Sequence, residues 1–412
     1  MGLWQKDGVY FATDTNGNTA PSEAYAFGDL RYHNYYLSSR YSLEMASGFA
    51  YDPVSETTFS WLVGEGEYGR QEIVYYDYFS GDGVPLNVID LRSLRNSFGG
   101  EMHIDYESIS GSLTIYGTEN DDVISVRGTG YVEVNGGDGD DRIEFFSNLE
   151  SSSKLLRGGA GNDVVLAGDG TDTIGGGSGN DRLHGGRGEN LIYGDEGDDR
   201  ITSGGGDDTI SAGSGDDWID GDTEDIVSKG YDNDAIYGGE GNDTIYGRGG
   251  DDTIYGSPGN DNIAAGTEND YVQGGAENDR IYGGAGSDTL FGNDGDDTIY
   301  GGKDTDVILG GAGIDFFVFE KPADSTPGIS RDVIRDFEVG QDKIVLSALD
   351  ADTTKDGNQS FSWSLNDAPN SVWVGYWNGR ALIRADADGD AVYDFEIQLN
   401  QVSSLSSTDF IF

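Results

Sequence analysis

"GGEGNDTIYGRGGDDTIYG" (Gly238–Gly256) places Asp243 and Asp252 nine residues apart in nearly identical settings. Written as G-G-x-G-x-D-x-U-x, with U a large apolar residue, the unit runs on in both directions. Its sixth position holds Asp234, Asp243, Asp252, Asp261, Asp270, Asp279, Asp288, Asp297, Asp306 and Asp315. An earlier array reads Asp163, Asp172, Asp181, Asn190, Asp199, Asp208 and Asp217, with outlying copies at Asp121 and Asp141. The step from Asp217 to Asp234 is seventeen residues, one short of two repeats. An irregular turn is therefore expected around "GDTEDIVSKG" (221–230), between the two arrays.

The apolar partner is as regular as the acid. Two residues after the sixth position come Val165, Ile174, Leu183, Ile192, Ile201, Ile210 and Ile219, then Ile236 and its successors through Ile308 to Phe317. Branched side chains suit a short strand with one inward residue. The glycine-rich remainder suits a tight turn with positive φ and close backbone approach. A strand of three residues cannot bury its single apolar side chain alone, but a stack of copies buries a continuous column. The pattern predicts a parallel β-solenoid, in which two nonamers complete one turn and residues i and i+18 are neighbours. A solvated glycine-aspartate linker would show neither the period nor the apolar register.

That geometry concentrates charge. Two carboxylates about 5 Å apart repel by roughly 3 kcal/mol at an effective dielectric near 20. Eight such pairs lie between Asp234 and Asp315. Together they rival the roughly 5–15 kcal/mol that holds an ordinary domain folded. A hard divalent cation reverses the sign, with carbonyls of the glycine turns completing its shell. Calcium suits such a mixed carboxylate and carbonyl cage better than magnesium does.

"GGAGNDVVL", "GGEGNDTIY" and "GGAGSDTLF" resemble the nonapeptide repeats of RTX (hemolysin-type calcium-binding) proteins over about residues 117–318. The resemblance implies a calcium-filled parallel β-roll, with multiple Ca2+ ions held by the sixth-position aspartates named above. There are departures. Asn190 stands where an aspartate is expected, and Glu224, Glu268, Glu277 and Asp304 replace the fourth-position glycine. Those turns are expected to bind more weakly or to differ in shape, and the site shared by Asp172 and Asn190 is the first candidate for a defective one.

Composition sets the limits around the repeat. The 412 residues include 67 glycines, 76 acidic side chains and 24 basic ones, for a net charge of -52. Nucleic acid and anionic membrane are poor partners for such a chain, because phosphate contacts need Lys and Arg. Cysteine is absent, so there is neither a disulfide framework nor a thiolate nucleophile. No apolar run approaches the roughly 18–20 residues that span a bilayer. The opening "MGLWQKDGVYFATDTNG" lacks the apolar core of about 7–15 residues of a Sec leader.

After the repeats, glycine thins out at 316–350, and "SVWVGYWNGRALIRADADGDAVYDFEIQL" (371–399) reads as an antiparallel meander. "DVIRDFEVGQDKI" and the final "TDFIF" resemble the C-terminal domain of serralysin-type proteases and related RTX exoproteins. The resemblance implies an uncleaved signal read by a type I secretion machinery, and so an extracellular or cell-surface location on a bacterium. Sealing the last solenoid turn is compatible with that role. "DADGD" (386–390) is read as a hairpin turn, with a lone calcium site as the alternative. Tyr237 with Tyr255, and Tyr282 with Tyr300, are eighteen residues apart and are expected to stack on one another, or to form a strip for carbohydrate.

The expected architecture is all-β: a β-rich aromatic domain of unrecognised family (1–115), the β-roll (116–318) and a C-terminal β cap (319–412). "VPLNVIDLRSL" and "GSLTIYG" read as strands leading into the roll. A zinc protease is excluded, because His33, His103 and His184 are widely separated and none begins the His-Glu-x-x-His pattern. No serine sits in the G-x-S-x-G setting of a lipase. Acidic residues such as Glu65, Glu67 and Asp90 leave a polysaccharide-acting enzyme as the rival to a non-catalytic calcium-binding protein. Among non-catalytic roles, adhesin, matrix and surface-layer functions stay open, with cell-surface polysaccharide as the partner class.

Overall fold

The computed structural model describes strand backbones within residues 2–109, and in full residues 112–128, 130–146, 153–222, 232–351 and 359–412 apart from positions 365, 367 and 391; side chains are described from residue 112 onward, except at 127 and 128. The fold is all-β, with parallel β-solenoid turns over residues 113–317 and β-rich flanks. The chain divides into two compact units, Met1–Leu191 and Ile192–Phe412.

In the second unit the nonamer shows its local logic. Thr244–Gly249 alternates, with Ile245 inward at 0% exposure and Tyr246 outward. It runs parallel to Asn262–Thr267, so that Ile245 sits beside Ile263. That strand in turn pairs with Arg280–Ala285, placing Ile263 beside Ile281. The intervening nonamers build the opposite sheet, where Ile236, Ile254, Val272, Leu290 and Ile308 stack in the same way. All of these side chains are fully buried. Each such burial contributes roughly 1.5–3 kcal/mol relative to exposure, which is what the isolated strand lacks.

The turns require glycine for a stated reason. Gly239 and Gly241 adopt φ of 119° and 130°, and a Cβ on Gly241 would lie 1.9 Å from the carbonyl oxygen of Gly215 in the turn below. Fourth-position glycines span φ of 113–148°, whereas Glu268, Glu277 and Asp304 hold the same hand at 74°, 76° and 80°. These turns do differ in shape, as their side chains suggest; Glu224 lies outside the described residues.

The irregular step is an insertion that the register absorbs. Ile210 pairs with Ile236 and Ile219 with Ile245, each 26 residues on instead of 18. Tyrosines stack along the outer faces as expected, with ring centroids 5.1 Å apart for Tyr237 and Tyr255 and 4.4 Å for Tyr282 and Tyr300.

The solenoid register does not stop at Val318. Asp332–Ile334 pairs parallel with the strand of Ile308, and Lys343–Val345 with Phe316–Val318. Phe410–Ile411 then pairs parallel with Ile344 and Val345. Ser371–Trp377, Arg380–Ala385 and Phe395–Asn400 form the expected antiparallel meander, whose last strand joins Asp332–Ile334.

In the first unit, parallel ladders run through Leu113–Tyr116, Val132–Asp138, Lys154–Ala160 and Thr173–Ser178 on one sheet. Met102–Ile109, Asp122–Gly128, Arg142–Phe146, Val164–Leu166 and Arg182–Arg187 form the other. Val88–Asp90 and Leu113–Tyr116 are the two strands expected to lead into the roll, and they pair parallel. Earlier residues supply antiparallel pairs such as Met45–Asp52 with Thr57–Glu65. Glu65 is the last residue of that second strand and Asp90 lies at the end of Val88–Asp90, while Glu67 falls outside the described residues.

Candidate metal centre

Sixth-position aspartates form two buried ladders, one along each edge of the solenoid. On one edge the N–H of Asp217 donates to Oδ1 of Asp243, that of Asp243 to Asp261, Asp261 to Asp279, Asp279 to Asp297 and Asp297 to Asp315, at 2.8–3.1 Å. On the other edge the same bond links Asp208 to Asp234, then Asp252, Asp270, Asp288 and Asp306. Asp141, Asp163 and Asp181 continue the pattern in the first unit. Asp199 bonds to Asp217 in the same sense. Each of these aspartates is at most 3% exposed.

The second carboxylate oxygen is treated differently. Among the described residues, Oδ2 of Asp234, Asp243, Asp252, Asp261, Asp270, Asp279, Asp288, Asp297, Asp306 and Asp315 is buried with no hydrogen-bond partner. A Cβ placed on Gly256 would meet Asp261 Oδ2 at 2.3 Å and Gly274 O at 2.5 Å. A Cβ on Gly283 would meet Asp288 Oδ2 and Gly301 O, both at 2.5 Å. Carboxylate and carbonyl oxygens from successive turns thus converge on one spot beside the first glycine. Alanine takes that position at Ala212 and Ala265, so the approach admits a methyl where the turn adjusts. An unpaired buried acceptor is costly unless something positive meets it. Oxygen-only donors of this kind fit a hard cation, and calcium in particular.

Burial sets the electrostatics. Loss of solvent, more than neighbouring charge, pushes Asp243 up to about 7, Asp270 and Asp279 to about 8 and Asp234 to about 9, against an ordinary 3.8. Repulsion from aspartates on adjacent turns adds to this but comes after desolvation, and the backbone N–H bond to Oδ1 opposes it. Mutual repulsion, the cost that the sequence spacing made visible, is the smaller cause because the carboxylates are sealed from water.

A second ladder runs outside the first and in the opposite sense. Asn242 N donates to Asp216 Oδ1, Asn260 N to Asn242 Oδ1, and Asp296 N to Asn278 Oδ1. These fifth-position residues are neutral or acidic and face solvent. They close the turns without needing a cation.

The structure corrects one expected position. Asp121 is exposed and belongs to this outer ladder, accepting from Asp140 N at 3.0 Å. Its neighbour Asp122 is the buried one, donating its N–H to Asp141 Oδ1. The deciding signal is the inward residue two places on, which is Ile124 and not Val123. Asp122 Oδ2 accepts from Thr118 N at 2.6 Å, so this first rung is closed by the protein itself.

Two rungs beyond the repeats escape a glycine-based reading. Asp306 N donates to Asp332 Oδ1 and Asp315 N to Asp342 Oδ1. Asp332 Oδ2 lacks a partner among the described residues, while Asp342 Oδ2 accepts from Glu338 N. Both sit in the D-x-U setting, Asp332-Val333-Ile334 and Asp342-Lys343-Ile344, each preceded by one repeat glycine in place of three, Gly328 and Gly340. At "DADGD" the carboxylates of Asp386, Asp388 and Asp394 lie within 4.8 Å of one another. Asp386 Oδ1 accepts from the N–H groups of Asp388 and Gly389, which is the bonding of the expected turn.

The model of the RTX calcium-binding nonapeptide repeat (4 copies) matches residues 155–183, 175–210, 193–225, 230–263, 255–290 and 282–317. The matched residues are RTX calcium-binding repeats. They make this a calcium-binding β-roll. No curated protein matches the chain. Among solved structures, the R3 subunit of the mannuronan C5-epimerase of Azotobacter vinelandii is 30% identical, covering 35% of this chain and 78% of its own, with a TM-score of 0.27. The R2 subunit of that epimerase is 23% identical over 42% of this chain and 88% of its own, with a TM-score of 0.26.

Proposed function

We propose that this RTX protein is exported unfolded by a type I secretion machinery and folds outside the cell on binding calcium, to act without catalysis at the bacterial cell surface or in its matrix. The observation that carries the reading is the row of buried Oδ2 atoms lacking a donor, with a carbonyl oxygen of the next turn converging on the same spot at Asp243, Asp261 and Asp288. Bound calcium supplies the positive charge that these oxygens lack.

The chain's own groups account for the switch. Asp243, Asp261 and their neighbours must each give up water to enter the roll, and without a cation each must either take up a proton, below its raised pKa, or bury a bare charge, above it. Where calcium is scarce this penalty opposes folding and keeps the chain threadable. At extracellular calcium of about 10⁻⁴–10⁻³ M, binding energy becomes folding energy. RTX repeats are typical of extracellular bacterial proteins, and among the described residues no helix is long and apolar enough to cross a membrane. The likeness of "DVIRDFEVGQDKI" to serralysin-type C-terminal domains supports the export route.

Retention of the folded chain on intact bacterial cells or their purified surface polysaccharide, with calcium and with EDTA, tests the surface role. Calcium-dependent retention with no sugar released is the expected result. Release of glycan fragments would replace this reading with that of a polysaccharide-acting enzyme.

A further inference from the structure

Position 154 is a sixth position of the repeat that carries lysine. It lies eighteen residues before Asp172, and Leu156 follows two places on as the buried apolar residue. Its backbone behaves as an aspartate's would, donating N–H to Asp172 Oδ1 at 2.9 Å. Its side chain does what the aspartates elsewhere cannot. Nζ donates to Asp172 Oδ2 at 2.9 Å and to the carbonyl of Asp169 at 2.7 Å, and lies 4.6 Å from the centre of the Phe145 ring. Both charged side chains are fully buried, at 0% exposure.

We propose that the Lys154 ammonium is a built-in cation that takes the place of calcium at this turn, so that the N-terminal end of this edge closes without metal. One carboxylate and one turn carbonyl meet it, the same two oxygen types that converge elsewhere beside the first glycine. Phe145 covers it with the negative face of its ring. The next rung carries the same character: Asn190 stands in place of an aspartate, and its Nδ2 donates to Gly188 O at 2.9 Å. Two successive rungs on this edge therefore offer N–H donors where the later turns offer bare oxygen. This edge thus has a metal-independent start, while on the other edge Asp141 and Asp163 keep a buried Oδ2 with no partner among the described residues.

The inference rests on the calcium reading for its count of ions but not for its metal-free arm. Amide hydrogen exchange on the full chain in EDTA compares Lys154–Ala160 and Thr173–Ser178 with Thr253–Pro258 and Tyr271–Ala276. Exchange slower by about tenfold or more in the first pair is expected, and Lys154→Met should abolish the difference. Equal exchange in the unsubstituted chain would overturn the proposal. Lys154→Asp recreates an ordinary aspartate rung, and equilibrium dialysis should then find one more calcium per chain. An unchanged count on a folded, calcium-loaded variant would also overturn it. If no calcium binds either protein, the metal-free exchange contrast still decides the role of Lys154.

Discussion

The backbone N–H of Asp243 donates to Oδ1 of Asp261 one full turn away, at 2.8 Å, and leaves Oδ2 of Asp261 facing the carbonyl of Gly274 without a donor. Asp243 and Asp252, adjacent in the repeat, do not meet. Each belongs to its own edge, and Asp252 bonds with Asp234 instead. One carboxylate thus carries two duties, a structural bond on Oδ1 and a cation-facing position on Oδ2.

Removal of a rung should therefore hurt more than removal of an acid in the inserted segment. Asp261→Ala is expected to lower the calcium-loaded melting temperature, with a loss of about 2.7 kcal/mol if calcium stands 100-fold above the site's Kd. Asp222, a second-position residue at the start of the insertion, has its carboxyl raised to about 7 by burial and by Asp232. Asp222→Ala should cost less, since it removes a disfavoured charge. Equal losses in calcium-loaded thermal melts would contradict the register.

Acidity should act oppositely on the metal-free and the loaded protein. Carboxyls raised from 3.8 to about 7 or 8, such as Asp243 and Asp270, favour the folded state while protonated. That contribution is fully present below pH 3.8 and fades as pH climbs through about 8. The metal-free chain should gain β-structure on acidification from pH 8 to 5. Calcium must displace those protons, so its half-saturation point should rise at pH 6 relative to pH 8, with protons released on binding. Circular dichroism and calcium titration at the two pH values check both signs.

Asp332 extends the ladder of buried aspartates past the repeats and is expected to hold calcium with it. Its Oδ1 accepts from Asp306 N and its Oδ2 has no partner among the described residues. Asp332→Asn should lower the calcium bound per chain by one, as counted by equilibrium dialysis, while leaving the inner turns folded. An unchanged count would confine binding to the glycine-bearing repeats.

Much of this arrangement was legible because the period forces it. Once an apolar residue must point inward every nine residues, the aspartate two places before it is fixed at the edge. The misplaced Asp121 shows where that reading slips: two aspartates stand together, and only the burial of Ile124 chooses Asp122. Asp332 and Asp342 kept the acid and the apolar residue but only one glycine each, Gly328 and Gly340, too few to draw attention to the repeat. Lys154 reversed the charge at the position that defined it. The dominance of desolvation over repulsion needed three dimensions, because sequence spacing gives the distance between charges but not their access to water.

The central claim is that the rows of buried Oδ2 atoms need calcium for the roll to hold. Far-ultraviolet circular dichroism of the full chain at pH 7.5, before and after EDTA and again after excess calcium, tests it most directly. Loss of β-signal on chelation and its recovery with calcium, but not with magnesium, is the predicted result. An unchanged β-signal in EDTA would contradict the account.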